Sequence, residues 1–548
     1  MPDALRVSRI LMASTALAAA SLVQVAVAAP ASAHATVVSS SPADGARLAL
    51  SPADVSITFD EPVSLGSTTY LRVVNSSGRR VDSSVASHPR GQGRVVAVTL
   101  RPDLPPDVYV ASWRVISADS HPVAGTIRFA VGDAVLTPLT TSVQVVDRVT
   151  STAMAVARFT GFAGLTLLGG LWVVLVSWPA GRRDRRARLL LWTGWGLALG
   201  GTVGAFLMQG PYVAGSGVAT LVRPDVLSST FHTDYGQLAL ARVGSLVVLA
   251  LVMDAVLRGA PTADRYPAAV LSACALAVAL TYSGAGHPRT TPPSWMSVAL
   301  DSAHLLSVCA WLGGLAMLVV AVLPRRSPEL VTVVLPAVSN VATVAVVVIA
   351  VSGAYAAFRG VGTLQALTST YALLVAGKVL LFGGLLGIGA CSRACVRRLA
   401  ATSRRPDRLR HLVTAELSVA TVVLALTSVL VAQPRGPEAV ATEQSRPVSA
   451  QATLGPGRSV RVIVEPGRHG VVAVFVTVTG EVARRITVDA SLPRQELGPI
   501  PVPLVPDGPH RYSASGVLLP HAGVWRFTVV VGTSEFDATT TAVSIHLH

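Results

Sequence analysis

Eight long apolar runs between about residues 153 and 432 constrain this chain more than any other feature of its sequence. A helix of about 20 apolar residues spans roughly 30 Å of hydrocarbon, and it satisfies its own backbone hydrogen bonds there. The sequence therefore predicts a polytopic α-helical membrane domain. Its eight spans are expected near residues 153–177, 189–209, 237–257, 266–284, 298–323, 331–353, 371–392 and 412–432.

The basic residues of the chain mark the ends of these runs. The net charge of +15 is by itself compatible with a nucleic-acid partner. Its placement indicates otherwise, because arginines gather in the short loops after the first and seventh runs, at positions 182–188 and 393–410. An excess of arginine is typical of cytoplasmic loops. We therefore expect a multi-pass protein of the cytoplasmic membrane, with both termini on the extracytoplasmic side and with no nucleic-acid partner.

The first 33 residues have the pattern of a secretory signal peptide. Arg6 and Arg9 precede an apolar stretch at 10–20, and small residues ending in Ala31-Ser32-Ala33 follow it. Cleavage after this A-x-A motif would make His34 the first residue of the mature chain. A terminal histidine offers its amine and its imidazole to one ion, and such a nitrogen pair favours Cu(II) or Ni(II). The ordinary alternative is that His34 merely follows the cut.

Two stretches outside the membrane runs alternate apolar and polar residues. Residues 34–135 contain runs such as Val55-x-Ile57-x-Phe59, and residues 453–548 repeat the pattern. Period-2 alternation with turn motifs between the runs predicts two exported all-β sandwich domains. Linkers at 136–152 and 433–452 would join them to the membrane domain at 153–432. All four cysteines lie in or beside the membrane runs, so the exported domains are expected to hold together without disulfides.

A second indication of metal binding lies in the first β-domain. Asp119 and His121 are two residues apart, between the predicted strands around Trp113 and Ile127. In an extended segment their side chains point the same way. Together with the amine and ring of His34 they would supply three nitrogens and one oxygen, a donor set suited to Cu(II). The alternative is a plain turn before Pro122 with a surface histidine.

Several motifs of this domain resemble the periplasmic copper-binding protein family CopC. They are His34-Ala35, Ser40-Ser41-Pro42-Ala43-Asp44-Gly45, Phe59-Asp60-Glu61-Pro62-Val63 and the stretch from Trp113 to Gly125. The resemblance implies an Ig-like β-domain that holds Cu(II) through His34, Asp119 and His121. No methionine occurs between His34 and Thr150, so a thioether-lined Cu(I) site is not expected in this domain.

Ionisable residues inside the spans are candidates for a metal pathway, because burying such groups in lipid is costly unless they face a cavity or a partner. Asp301 and His304 lie three apart on one helical face of the fifth span. Lys378 is the only lysine of the chain. The alternative for these residues is ion pairing between helices, for instance of Asp301 with Lys378 or Arg242. The pathway candidates are His287, Asp301, His304, Lys378, Arg242 and Met208, the last as a soft ligand for Cu(I).

The membrane region resembles the family of CopD, a membrane protein of copper uptake or resistance. The motifs that carry the resemblance are Asp234-Tyr235-Gly236, Ser283-Gly284-Ala285-Gly286-His287, Trp311-Leu312-Gly313-Gly314, Ser369-Thr370-Tyr371 and Glu416. Near the end of the chain, Gly508-Pro509-His510-Arg511-Tyr512 and Gly523-Val524-Trp525-Arg526-Phe527 are similar to YtkA-like domains.

These features favour copper capture outside the membrane followed by copper transport across it, and not an enzyme. Cu(II) would be held by the first domain and Cu(I) by the bundle, so a copper reductase or another copper-handling protein is an expected partner besides the lipid bilayer. The chain has no haem or flavin motif to supply the electron, and no G-x-S-x-G or H-E-x-x-H motif of a hydrolase. The alternative function is a membrane-anchored surface or signalling protein whose β-domains bind protein partners.

Overall fold

A computed structural model of the protein describes most of the chain in three units: a β-domain, a helical bundle and a second β-domain. The described residues are 35, 37–65, 69–118, 120, 122–134, 147–214, 217–258, 266–325, 328–401, 407–444, 446–480, 484–506, 508, 510–532 and 537–548. The predicted signal peptide and the predicted metal ligands His34, Asp119 and His121 lie outside these residues.

The N-terminal β-domain consists of two facing sheets. One contains three strands in the order β1-β3-β6, and the other contains β2-β8-β7-β4 with β5 also paired to β7. Val55, Ile57 and Phe59 are at most 1% exposed, which confirms the inward face predicted from their alternation. The strands are β1 (Val37–Ser41), β2 (Ala46–Leu48), β3 (Asp54–Phe59), β4 (Val63–Ser64), β5 (Tyr70–Asn75), β6 (Val95–Thr99), β7 (Asp107–Ser117) and β8 (Pro122–Val131).

The bundle follows as a series of long apolar helices. Its helices are α1 (Arg148–Leu168), α2 (Arg185–Ala214), α3 (Pro224–Phe231), α4 (Asp234–Leu257), α5 (Tyr266–Gly284), α6 (Ser294–Met317), α7 (Pro328–Val361), α8 (Thr370–Ala401) and α9 (Asp407–Leu430). α1 and α6 continue into π-helical turns, Val173–Ser177 and Leu318–Val322. Short 3-10 turns lie at Pro89–Gly91, Pro179–Arg183, Val218–Thr220, His287–Thr290, Leu323–Arg325, Leu364–Thr368 and Pro493–Gln495.

Seven helices among the described residues are long and apolar enough to cross a membrane. They correspond to the predicted spans at 153–177, 189–209, 237–257, 298–323, 331–353, 371–392 and 412–432, and the structure extends most of them by several residues at their ends. The predicted span at 266–284 is α5, whose apolar part, Ala268–Gly284, is shorter than the others. The protein is thus a multi-pass membrane protein with seven candidate spans and one shorter apolar helix.

Glycines allow three helices of the bundle to touch backbone to backbone. A Cβ added at Gly164 on α1 would lie 2.2 Å from the Ala198 nitrogen on α2, and one added at Gly313 on α6 would lie 2.3 Å from the Thr166 carbonyl oxygen on α1. Small residues let helices approach closely in lipid, where dispersion contacts drive their association. The glycines of the Trp311-Leu312-Gly313-Gly314 motif therefore have a packing role.

We expect the substitution Gly313→Ala to destabilise the bundle, because the added methyl group forces α1 and α6 apart. Overpacking of this kind typically costs about 1–3 kcal/mol. The apparent melting temperature of the detergent-purified protein should fall. Gly387→Ala on α8 is the matched control, since an added Cβ there meets nothing within 4 Å. Equal melting temperatures for the two variants would contradict this packing.

The C-terminal β-domain is a second two-sheet sandwich. Its sheets have the strand orders β14-β15-β11-β10-β9 and β13-β12-β16-β17. A helix, α10 (Gly436–Gln444), occupies much of the predicted linker, and β9 begins at Val448. The strands are β9 (Val448–Gly455), β10 (Arg458–Glu465), β11 (Gly470–Thr479), β12 (Arg485–Leu492), β13 (Leu497–Val502), β14 (Val505–Pro506), β15 (Arg511–Leu519), β16 (Gly523–Gly532) and β17 (Ala538–Leu547).

Candidate metal-transfer site

The turn between β7 and β8, which we call the metal loop, comprises residues 118–121. Its described residues are fixed by hydrogen bonds: the Ala118 amide donates to Glu61 Oε1 at 3.2 Å, and the Ser120 amide donates to the Ser117 carbonyl at 2.9 Å. The positions of Asp119 and His121 flank Ser120. At the other predicted ligand position, Ala35 follows His34 and is 3% exposed in the domain core.

The metal loop lies directly on the bundle. The Gln209 side chain, near the end of α2, donates from Nε2 to the Ser120 carbonyl at 2.9 Å. A cavity of about 20 Å³, large enough for one water molecule, separates the two surfaces there. We call the end of the bundle that carries this contact the domain side. The cavity is lined by Ile116, Gln209, Gly210, Val213, Ser229, Thr230, Thr233 and Tyr235.

Arg242, a predicted pathway candidate, connects two helices below this cavity. It is 3% exposed and donates from Nε to the Thr281 hydroxyl at 3.0 Å and from Nη2 to the Thr281 carbonyl at 2.9 Å. Its guanidinium carbon lies 3.4 Å from the ring centroid of Tyr282, a cation–π contact. Arg242 therefore joins α4 to α5 through the uncharged Thr281, whereas the interhelical alternative named an ion pair with Asp301.

Asp301, on α6, is bound by Ser283, the residue that follows Tyr282 on α5. It accepts a hydrogen bond from the Ser283 hydroxyl at 2.6 Å, and Ser283 in turn accepts one from the Ser302 hydroxyl at 3.1 Å. Ser283 is fully buried and Ser302 is 3% exposed. The chain of two hydroxyls fixes the carboxyl group at the interface of α5 and α6.

His304 faces a different helix. Its Nδ1 lies 2.9 Å from the Ser352 hydroxyl on α7, and that hydroxyl donates its own hydrogen to the Val348 carbonyl. Because a hydroxyl has a single hydrogen to donate, Ser352 must accept from His304. This assignment puts the imidazole proton on Nδ1 and leaves the lone pair of Nε2 available to a metal ion.

Lys378, on α8, interacts electrostatically with both Asp301 and His304. The structure thus brings three predicted pathway residues from two helices together, while Asp301 and His304 direct their hydrogen bonds to α5 and α7 respectively. The carboxylate and the imidazole are metal ligands, whereas the ammonium has no lone pair to offer while protonated.

The other two pathway candidates lie toward the domain side. His287 precedes α6, is partly buried, and its carbonyl accepts hydrogen bonds from the Thr290 and Thr291 hydroxyls at 3.1 and 2.8 Å. Met208 is partly buried on α2 beside Gln209. Among the residues that the structure describes, no three His, Cys, Asp or Glu side chains are grouped so as to hold one metal ion.

A larger cavity lies further along α6. It has a volume of about 290 Å³, and its mainly apolar wall includes Trp311, Ser392, Arg393 and Glu416. Glu416 is 2% exposed and accepts a hydrogen bond from the Ser392 hydroxyl. The sequence offers only family motifs as a signal for Glu416 and Tyr235, and it offers none for Gln209 at the metal loop, since contacts between distant segments leave no periodic pattern.

Three family models match the chain. The CopC domain model covers residues 37–132. The model of the Copper resistance protein D-like N-terminal domain covers residues 149–291, and that of Copper resistance protein D covers residues 333–430.

Curated and solved proteins show the same likeness. The chain is 30% identical over 456 residues to the Copper transport protein CutJ of Bacillus subtilis, with 80% of each chain covered. It is 31% identical over 103 residues to Copper resistance protein C of Xanthomonas campestris pv. juglandis. This match covers 18% of this chain and 80% of that protein. The crystal structure of CopC from Methylosinus trichosporium OB3b matches with 27% identity and a TM-score of 0.17, covering 19% of this chain and all of that one.

Proposed function

The chain belongs to the family of copper-resistance and copper-transport proteins built from CopC and CopD domains, and from this premise we propose that it captures Cu(II) outside the cytoplasmic membrane and passes copper into its own bundle. The observation that carries the proposal is the hydrogen bond between Gln209 and the Ser120 carbonyl. Ser120 lies between the two predicted loop ligands in the sequence, so this hydrogen bond holds the backbone of the metal loop against the bundle.

The proposed capture site consists of the His34 amine and imidazole, the Asp119 carboxylate and the His121 imidazole. Three nitrogens and one oxygen are donors that suit a tetragonal Cu(II) ion. Two features of the described residues support it: the metal loop is fixed by hydrogen bonds at Ala118 and Ser120, and Ala35, the residue after His34, is anchored in the core. Preorganised ligands raise affinity because less ordering is needed on binding.

The proposed route inside the bundle runs from the metal loop past His287 to Asp301 and His304. His304 would offer Nε2 and Asp301 a carboxylate oxygen. Joining the capture site and the bundle in one chain also turns transfer into an intramolecular step, with an effective concentration that reaches the millimolar range for short linkers. In the empty state the positive charge of Lys378 would balance that of Asp301. An arriving cation would repel Lys378.

Passage through the bundle is proposed to involve Cu(I), so an electron must be supplied to Cu(II) by a copper reductase or a small reductant outside the protein. Soft ligands such as the Met208 thioether suit Cu(I). We propose that both β-domains lie outside the cell membrane. The arginine-rich loops support this orientation, because they follow α1 and α8 at the end of the bundle opposite the domain side.

Copper accumulation in cells tests this function. We expect cells that lack the gene to contain less copper than the parent, and complementation with His34→Ala to leave the defect in place, because the variant loses an imidazole ligand. Total cell copper is measured by inductively coupled plasma mass spectrometry after growth at a limiting copper concentration. Higher copper in cells without the gene would indicate export or sequestration and would overturn the proposed direction.

A further inference from the structure

One contact joins the two β-domains to each other. Arg128 on β8 faces away from the core residues Ile127 and Phe129, yet it is only 3% exposed. Phe475 on β11 likewise alternates with the core residues Val474 and Val476 and is 3% exposed. Residues on the outer face of a sandwich are normally solvated. Each of these two side chains is covered because the other domain lies against it.

The contact centres on a buried ion pair. Arg128 Nη2 lies 2.6 Å from Glu465 Oε2, and the side chains are 3% and 14% exposed. The Arg128 guanidinium carbon also lies 5.6 Å from the centre of the Phe475 ring. Burial raises the pKa of the Glu465 carboxyl, and the charge and hydrogen bond of Arg128 oppose that rise. Breaking a buried ion pair by removing one partner is strongly destabilising.

The same strand connects this ion pair to the metal loop. β8 begins at Pro122, next to the loop, and Arg128 lies six residues along it, or about 20 Å at about 3.3 Å per residue. β8 pairs with β7 along its whole length, from Pro122 opposite Ile116 to Val131 opposite Asp107, so the hairpin moves as one piece. The loop end of the hairpin contacts Gln209 on the bundle, and Arg128 further along β8 contacts Glu465 in the C-terminal domain.

The linker that leads into the C-terminal domain is in turn packed against the bundle. Arg435, 7% exposed, donates from Nη1 to the Thr291 hydroxyl at 2.6 Å. Its amide donates to Glu438 Oε2 on α10 at 2.9 Å. A Cβ added at Gly436 would lie 2.4 Å from the Val361 carbonyl oxygen at the end of α7. α10, which leads into the C-terminal domain, is therefore held closely against the membrane helices.

We propose that the C-terminal domain is a clamp that holds the N-terminal domain in the orientation that keeps the metal loop on the bundle. The clamp surface consists of Glu465 and Phe475, and its partner is the outer face of β8 around Arg128. The three contacts form a closed set: bundle to α10, C-terminal domain to β8, and metal loop back to the bundle. The consequence for copper delivery rests on the proposed function, whereas the clamp itself does not.

Chemical cross-linking in the full-length protein tests the clamp. The four native cysteines are replaced by serine, and Ser120→Cys and Gln209→Cys are introduced. The protein is treated with a short bismaleimide and then cut once by a protease between the two positions. Electrophoretic mobility shows whether the two fragments are still joined. We expect rapid cross-linking. Adding Glu465→Ala should slow it at least about tenfold, because the loss of the buried ion pair weakens the contact between the two β-domains.

Matched variants keep this test decisive. Glu496→Ala, an exposed glutamate of the same domain, should leave the cross-linking rate unchanged. Glu465→Gln removes the charge with almost no change of shape, and the charge-reversed pair Arg128→Glu with Glu465→Arg should recover part of the rate. Variants are compared only if they are monodisperse and melt near the parent. An unchanged rate in both Glu465 variants would overturn the clamp.

Copper uptake separates this inference from the proposed function. In proteoliposomes given copper and ascorbate, Glu465→Gln should reduce the initial uptake rate in proportion to its cross-linking defect. If the parent protein itself takes up no copper, the proposed function fails while the cross-linking result still decides the clamp. If uptake is unchanged although cross-linking is slow, the clamp does not serve delivery.

Discussion

Replacing His304 by alanine is expected to abolish copper passage through the bundle and to leave Cu(II) binding by the N-terminal domain intact. His304 is the residue whose hydrogen bond to Ser352 leaves the Nε2 lone pair available in the membrane interior. Without it, a copper ion that has passed His287 meets Asp301 but no second imidazole. Radioactive copper uptake into proteoliposomes should fall to the level of protein-free vesicles.

Two further variants show whether the loss is specific. Ser352→Ala keeps the imidazole but removes the acceptor that orients it, and such a supporting partner is typically worth about 10–100-fold in metal affinity, so uptake should be reduced and not lost. His411→Ala, an exposed histidine on α9, should transport like the parent. Full uptake by the His304→Ala protein would remove His304 from the route.

The second large effect is expected at the metal loop. His121→Ala should weaken Cu(II) binding to the full-length protein by more than about 100-fold, because the loss of a ligand exceeds the effect of losing its supporting partners. Competition against a chromophoric chelator measures the affinity, and electron paramagnetic resonance of the bound Cu(II) should show one coordinating nitrogen fewer. Affinity should also fall below about pH 6.5, where imidazole is protonated and no longer a ligand.

A histidine elsewhere in the same domain controls for the change. His88 is partly buried and its ring contacts the Val95 carbonyl through Nδ1 at 2.8 Å, so His88→Gln alters the domain without approaching the metal loop. It should bind Cu(II) like the parent. If His88→Gln and His121→Ala bind with the same affinity, the capture site lies elsewhere.

The sequence predicts those parts of this fold that depend on local periodicity. Alternation identified the inward faces of both sandwiches, as the burial of Val55, Ile57 and Phe59 confirms, and apolar length located the candidate membrane helices. The helix α10 was not predicted, because its composition resembles that of a linker. It is held in place by tertiary contacts, such as that between Arg435 and Thr291.

The candidate site divides in the same way. Asp301 and His304 were identified because an ionisable residue in an apolar run is conspicuous whatever its partners are. Gln209, Ser283 and Ser352 escaped notice, since a polar uncharged residue is common in membrane helices and only the fold shows what it contacts. Spacing predicts Asp301 and His304 on one helical face, but their separate hydrogen bonds to α5 and α7 depend on helix packing that spacing does not encode.

A single-turnover experiment tests the central claim of copper transfer within one chain most directly. Reconstituted protein is loaded with one equivalent of radioactive Cu(II), free copper is removed, and ascorbate and an impermeant chelator are added outside the vesicles. The account predicts that label enters the lumen of vesicles with the parent protein and is lost to the chelator with His304→Ala. Complete loss of label to the chelator from the parent protein would contradict transfer from the metal loop to the bundle.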